Sequence, residues 1–101
     1  MADGNATEAP APGEVILYST EPCGYCARAK ELLTARGVEF REINLARDMV
    51  GRHALLDRTG LMTFPQLAIG ERILGGYREM VELDRRGALA ETIEAAVRAA
   101  A

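Results

Sequence analysis

Short apolar runs of strand length alternate with helix-length segments along this chain, and that alternation restricts the fold more than any other feature. "EVILYS", beginning at Glu14, is a partly β-branched run whose continuity predicts a strand covered on both faces. From Cys23 to Arg36 the residues Cys26, Ala29 and Leu33 recur at helical spacing, and Gly37 closes the pattern as a C-terminal cap. "VEFREIN", Val38 to Asn44, alternates at Val38 and Phe40, with Ile43 one place out of step, and predicts a second strand. A helix from about Arg47 to Thr59 follows and ends at Gly60. Gln66 to Ile69 and Arg72 to Leu74, joined across Gly70-Glu71, predict a hairpin. Helical sequence from about Tyr77 to Arg86 breaks at Gly87 and continues with Leu89, Ile93 and Val97 on one face. The order β-α-β-α-β-β-α predicts an α/β domain, a four-stranded mixed sheet flanked by helices on both faces.

A chain of 101 residues with 49% hydrophobic content supports one domain with its own core and not two. Residues 1–13, rich in Ala, Pro, Asn and Asp, are expected as a flexible tail, and residues 14–101 as the domain. Twelve Lys and Arg against fifteen Asp and Glu, net −3 without a long run of either sign, argue against nucleic acid or an anionic membrane as partner. No apolar run reaches membrane-spanning length, and "MADGNATEAPAPG" lacks the basic start and apolar core of a secretory signal. The expected location is therefore cytoplasmic. There ordinary thiols stay reduced, so a close cysteine pair reads as catalytic or metal-binding rather than as a structural staple.

Cys23 and Cys26 are such a pair, placed where the first strand gives way to the first helix. At the first helical turn, unpaired backbone N–H groups and the helix dipole favour negative charge and lower a thiol pKa from roughly 8.5. Cys23 is thus suited to attack, and Cys26, one turn further and on the face of Ala29 and Leu33, to act second. It can attack a mixed disulfide formed at Cys23 and close an intramolecular disulfide. Zinc would need about four ligands, and the chain offers two sulfurs and the lone His53. His53 itself, near Met49 and Leu56 on the second helix, reads as a packed or surface histidine. Pro65 begins a predicted strand, where a cis X-Pro bond would present the Phe64 backbone at the surface, and where proline also occurs without any role.

"CGYC" after a strand, "TFPQL" some forty residues later and then "GGYREMVELDRRGAL" together resemble a dithiol glutaredoxin of the thioredoxin-like fold, over nearly all of Glu14 to Ala100. The resemblance implies glutathione-dependent reduction of protein disulfides and of protein–glutathione mixed disulfides. It implies Cys23 as nucleophile, Cys26 as resolving thiol, Tyr25 as a wall of the glutathione groove, Pro65 as a cis-proline and Phe64 as a source of backbone hydrogen bonds. Arg52 falls where the family holds the glycine carboxylate, a role an arginine fork suits. The chain departs from the family pattern in four places. Gly24 replaces a proline, and Thr20 replaces a lysine that contacts the glutathione carboxylate. Leu61 and Met62 stand where a basic residue is common. Tyr77, Arg78 and Glu79 stand for a small residue and two acids that hold the γ-glutamyl amine, which leaves Glu79 or backbone groups for that task.

Three functions compete on this reading. The first is the oxidoreductase, a monomer with glutathione as co-substrate and disulfide-bearing or glutathionylated proteins as partners. "GGYRE" also bears a short likeness to redoxins recharged by thioredoxin reductase. The second is a dimer holding a [2Fe-2S] cluster through Cys23 and glutathione, motivated by Gly24, since glutaredoxins without the turn proline can bind one. The third is an adaptor module in which the cysteines merely pack.

Overall fold

The computed structural model describes residues 10–100. Its elements run β1 (Val15–Ser19), α1 (Gly24–Ala35), β2 (Arg41–Asn44), α2 (Met49–Thr59), β3 (Gln66–Ile69), β4 (Arg72–Gly75), α3 (Tyr77–Arg85) and α4 (Leu89–Ala100). They build one four-stranded sheet in the order β2-β1-β3-β4. β1 pairs parallel with β2 through the α1 crossover and antiparallel with β3, and β3 pairs antiparallel with β4. The mixed sheet expected from the element order is therefore the one present.

Because side chains alternate across a strand, β1 feeds two cores. Leu17 joins Ala29 and Leu33 of α1, Leu67 and Ile69 of β3, Met80 of α3, and Leu89 and Ile93 of α4. Ile16 and Tyr18 point the other way, toward Leu45, Leu55 of α2 and Ala68. Three helices thus cover one face of the sheet and α2 alone covers the other. α2 is seated by the Asp48 carboxylate, which accepts the Gly51 N–H at 2.8 Å, and by Gly51 itself, where a Cβ would stand 2.9 Å from Leu45. Gly60, with φ of 74°, ends it in the left-handed conformation that glycine tolerates.

Two elements differ from the expectation. β2 begins at Arg41, not Val38. Val38 and Phe40 pack against the three-helix core while Ile43, an odd position, packs against the α2 core, so the residue that looked out of step obeys the alternation and serves the opposite face. The last helical stretch is two helices, α3 and α4, parted at Gly87 with φ of 69°. Of the expected tail, residues 1–9 lie outside the described residues. Pro12 and Gly13 form a turn closed by the Glu14 N–H on Ala11 O, 3.0 Å, and Gly70 at the hairpin bend bonds Glu14 O at 2.7 Å. No helix among the described residues is long and apolar enough to cross a membrane.

Candidate active site

The sheet topology brings three chain segments to one end. β1 and β3 are antiparallel, with Tyr18 opposite Gln66, so the loop that leaves β1 toward Cys23 emerges beside the loop that delivers Pro65 into β3. Gly75, opposite Leu67, brings the end of β4 and the start of α3 to the same edge.

Cys23 is the N-cap of α1 and its Sγ accepts the Cys26 N–H at 3.0 Å, the place where helix geometry leaves donors free for a negative atom. The sequence places Cys23 in the first turn; it stands one position earlier, at the cap. It is half-buried, whereas Cys26 is 3% exposed beneath it. The two are joined as a disulfide with their Cα atoms 5.3 Å apart. One sulfur faces outward and the other inward, and that asymmetry allows one to attack an external disulfide and the other to attack only the first.

Beside the pair lies an open groove of about 510 Å³ lined by Tyr25, Thr63, Phe64, Pro65, Gly76, Tyr77, Arg78 and Glu79. Five of the residues singled out by the sequence, Tyr25, Phe64, Pro65, Arg78 and Glu79, therefore meet around one cavity. Pro65 is cis, as is Pro22, which the sequence reading passed over. Tyr25, 58% exposed, packs with its ring 5.6 Å from that of Tyr77, and Arg28 lies 5.5 Å over Tyr25. Gly75, at φ 144°, admits Glu79 so closely that a Cβ there would sit 2.7 Å from Glu79 Cγ. Glu79 Oε1 accepts the Gly76 N–H at 2.8 Å, so one carboxylate oxygen caps α3 and the other remains for a ligand.

Thr20 and Arg52 stand outside the lining of this groove, linked to it through Phe64. Arg52 Cζ lies 5.5 Å from the Phe64 ring centroid, within cation–π range. Its Nη2 donates to Thr20 Oγ1 at 2.6 Å and its Nε to Leu45 O at 2.9 Å. His53 is exposed on α2. Among the described residues no three His, Cys, Asp or Glu side chains converge on a metal position.

Gln66 is a site residue that sequence reasoning missed. It is buried, and its Nε2 donates both to Thr63 O at 2.8 Å and to Leu61 O at 3.2 Å, while Oε1 has no partner. Both hydrogens of a buried amide thus hold the loop that carries Phe64 to the groove. The signal was present in the sequence: a glutamine directly after proline in a strand otherwise wholly apolar demands internal partners.

The family model described as Glutaredoxin matches residues 15–74. The chain belongs to the glutaredoxin family. "Glutaredoxin 3" of Escherichia coli (strain K12) is 39% identical over 75 residues, 74% of this chain and 90% of that protein. A glutaredoxin of Pseudomonas aeruginosa is 41% identical over 75 residues, 74% of this chain and 89% of its own length. Among solved structures, a buckwheat glutaredoxin–glutathione complex superposes with a TM-score of 0.72 at 30% identity, over 94% of this chain and 86% of that one. The holo form of glutaredoxin C1 from Populus tremula x tremuloides gives 0.73 at 34% identity, over 94% and 85%. The architecture of this glutaredoxin is thus the thioredoxin-like one, and its CxxC pair occupies the strand-to-helix junction.

Proposed function

We propose that this chain is a glutathione-dependent thiol–disulfide oxidoreductase acting on protein disulfides and on protein–glutathione mixed disulfides, with Cys23 as nucleophile and Cys26 as resolving thiol. The observation that carries the reading is the asymmetry of the pair: Cys23 at the helix cap beside the groove, Cys26 buried one turn below. In the reduced enzyme, the Cys23 thiolate attacks the glutathionyl sulfur of a mixed disulfide. The Cys23–glutathione bond forms, the old S–S bond breaks, and the protein thiolate leaves and takes a proton. A glutathione thiolate then attacks that glutathionyl sulfur, releasing oxidised glutathione and the Cys23 thiolate. Alternatively Cys26 loses its proton, attacks Cys23 Sγ and expels glutathione, giving the disulfide seen here.

In this reading Tyr25 and Tyr77 wall the glutathionyl chain, and the backbone at Phe64 and Pro65 pairs with its cysteinyl unit. Arg52 takes the glycine carboxylate, and Glu79 Oε2 takes the γ-glutamyl ammonium. Arg78 stands beside that position as a cation and suits a carboxylate instead. The test is the Cys26→Ser variant incubated with oxidised glutathione and weighed by mass spectrometry. A single glutathionyl adduct on Cys23 is expected. A protein that stays unmodified would overturn the assignment of Cys23.

Gly24 favours a second reading, a [2Fe-2S] cluster shared by two copies. A Cβ at Gly24 would meet nothing within 4 Å, so the turn after the nucleophile lies open to another molecule. One chain offers only Cys23 as a ligand there, and the partner copy and bound glutathione would supply the others. A coloured protein after anaerobic reconstitution with iron, sulfide and glutathione supports this reading; a colourless one removes it.

A further inference from the structure

We propose that Thr20 is a positioning residue for Arg52 and, through it, sets how the glycine carboxylate of a glutathionyl substrate is gripped. The inference rests on the reading of Arg52 as that carboxylate's partner. Thr20 lies on the loop between β1 and Cys23, and Arg52 on α2, 32 positions away. A guanidinium carries five N–H donors in one rigid plane. Nε–H is bound to Leu45 O and one Nη2–H to Thr20 Oγ1. The remaining donors are the two on Nη1 and the second on Nη2. With Nε–H and one Nη2–H already bound, a carboxylate is met chiefly at the Nη1 end of the group and not from the Nε side.

Three segments fix that plane: the loop after β1 through Thr20, the residue leading into α2 through Leu45, and the loop before β3 through the ring of Phe64. An arginine free in solution loses rotamer entropy when it clamps a ligand, and one already held does not. Among the described residues no carboxylate pairs with Arg52, so its charge is open to a ligand. Thr20 thus replaces the family's lysine with an acceptor that aims the neighbouring arginine, rather than with a second contact to the substrate.

The experiment measures kcat and KM for two peptides, one carrying a glutathione mixed disulfide and one carrying the same disulfide amidated at the glycine carboxylate. It uses the full chain, Arg52→Ala, Thr20→Val and Thr20→Ser, each checked for folding by circular dichroism. The wild type is expected to prefer the free carboxylate by roughly tenfold in kcat/KM, the order of one charged hydrogen-bonded pair. Arg52→Ala erases the preference. Thr20→Val, which keeps the shape and removes the acceptor, lowers it most of the way with the change in KM, and Thr20→Ser restores it. If Thr20→Val keeps the preference that Arg52→Ala loses, Thr20 has no positioning role and the reading of Arg52 stands. A preference that survives Arg52→Ala removes both.

Discussion

The two faces of the sheet differ in kind. The face under α1, α3 and α4 carries the larger apolar cluster, Leu17, Ala29, Leu33, Leu67, Ile69, Met80, Leu89 and Ile93, with the buried Ser19 donating to Glu42 at 2.6 Å at its margin. The face under α2 has a smaller apolar core, and around it lie polar groups tied into specific bonds. Tyr18 receives the Arg58 Nη2–H on its hydroxyl at 3.2 Å, Gln66 holds the Leu61 and Thr63 carbonyls, and Arg52 bonds Thr20 and Leu45. Apolar burial is non-directional and gives stability, whereas buried hydrogen bonds fix geometry and are costly when left incomplete. The difference teaches that the three-helix face supplies most of the apolar burial and, through Tyr25 of α1 and Tyr77 to Glu79 of α3, one wall of the groove, while the bonds on the α2 face fix the loop that carries Phe64 to the other wall.

The largest expected effect ignores both faces. Cys23→Ser removes the outer, half-buried thiol of the pair, and turnover of every disulfide substrate should fall to background; activity that survives would contradict the chemistry. The comparison itself is broken or sharpened by a pair of truncations. Ile93→Ala on the three-helix face and Leu55→Ala under α2 should each cost roughly 2–5 kcal/mol in denaturant unfolding. Only Leu55→Ala, one helical turn from Arg52, should also raise KM for a glutathionylated substrate. Equal KM effects would mean that the faces do not divide the work.

A smaller change is expected at Gln66. Gln66→Leu keeps the bulk and removes both donors from the loop carrying Phe64, so KM should rise roughly threefold to tenfold, the range of one or two lost hydrogen bonds. Because Leu61 and Thr63 are exposed residues whose freed carbonyls can turn to water, the variant should remain folded, as its thermal transition would report.

The smallest effect concerns the salt bridge from the α1 C-cap Arg36 to Asp84 of α3, two near-parallel bonds on the surface. Hydrogen bonding to Arg36 holds the Asp84 carboxyl below the usual carboxylate range, and the same bond raises the guanidinium. A depressed carboxylate stabilises the fold above its unfolded value, about pH 4, and that contribution is lost as pH falls through its lower folded value. Wild type and Asp84→Asn should therefore differ slightly in stability near neutral pH and converge below about pH 4.

Much of this was legible in the sequence where the cause is local. β1, α1 and the Gly70-Glu71 hairpin follow from periodicity and turn chemistry within a few residues, and the CxxC pair announces itself by spacing at the helix start. Val38 to Asn44 was legible as extended but not as paired over its length, because alternation reports which face a residue takes and not where the ladder with β1 begins, at Arg41. The break at Gly87 was visible, but not that it makes two helices. The contacts that shape the site were hidden for a different reason. Thr20 and Arg52 each read singly as a missing charge and a carboxylate clamp, and nothing in one-dimensional pattern reports a bond 32 positions long. Gln66 was overlooked because it sits inside a strand-like run, where its side chain has meaning only against the loop at Leu61 and Thr63.

The most direct test of the account is turnover of a glutathionylated protein by the pure chain with NADPH, run once with glutathione and glutathione reductase and once with thioredoxin reductase alone. The groove built from Tyr25, Phe64, Pro65 and Glu79, with Arg52 aimed beside it, predicts turnover in the glutathione arm. Turnover sustained by thioredoxin reductase alone, with none in the glutathione arm, would contradict the account and withdraw the glutathione contacts assigned to these residues.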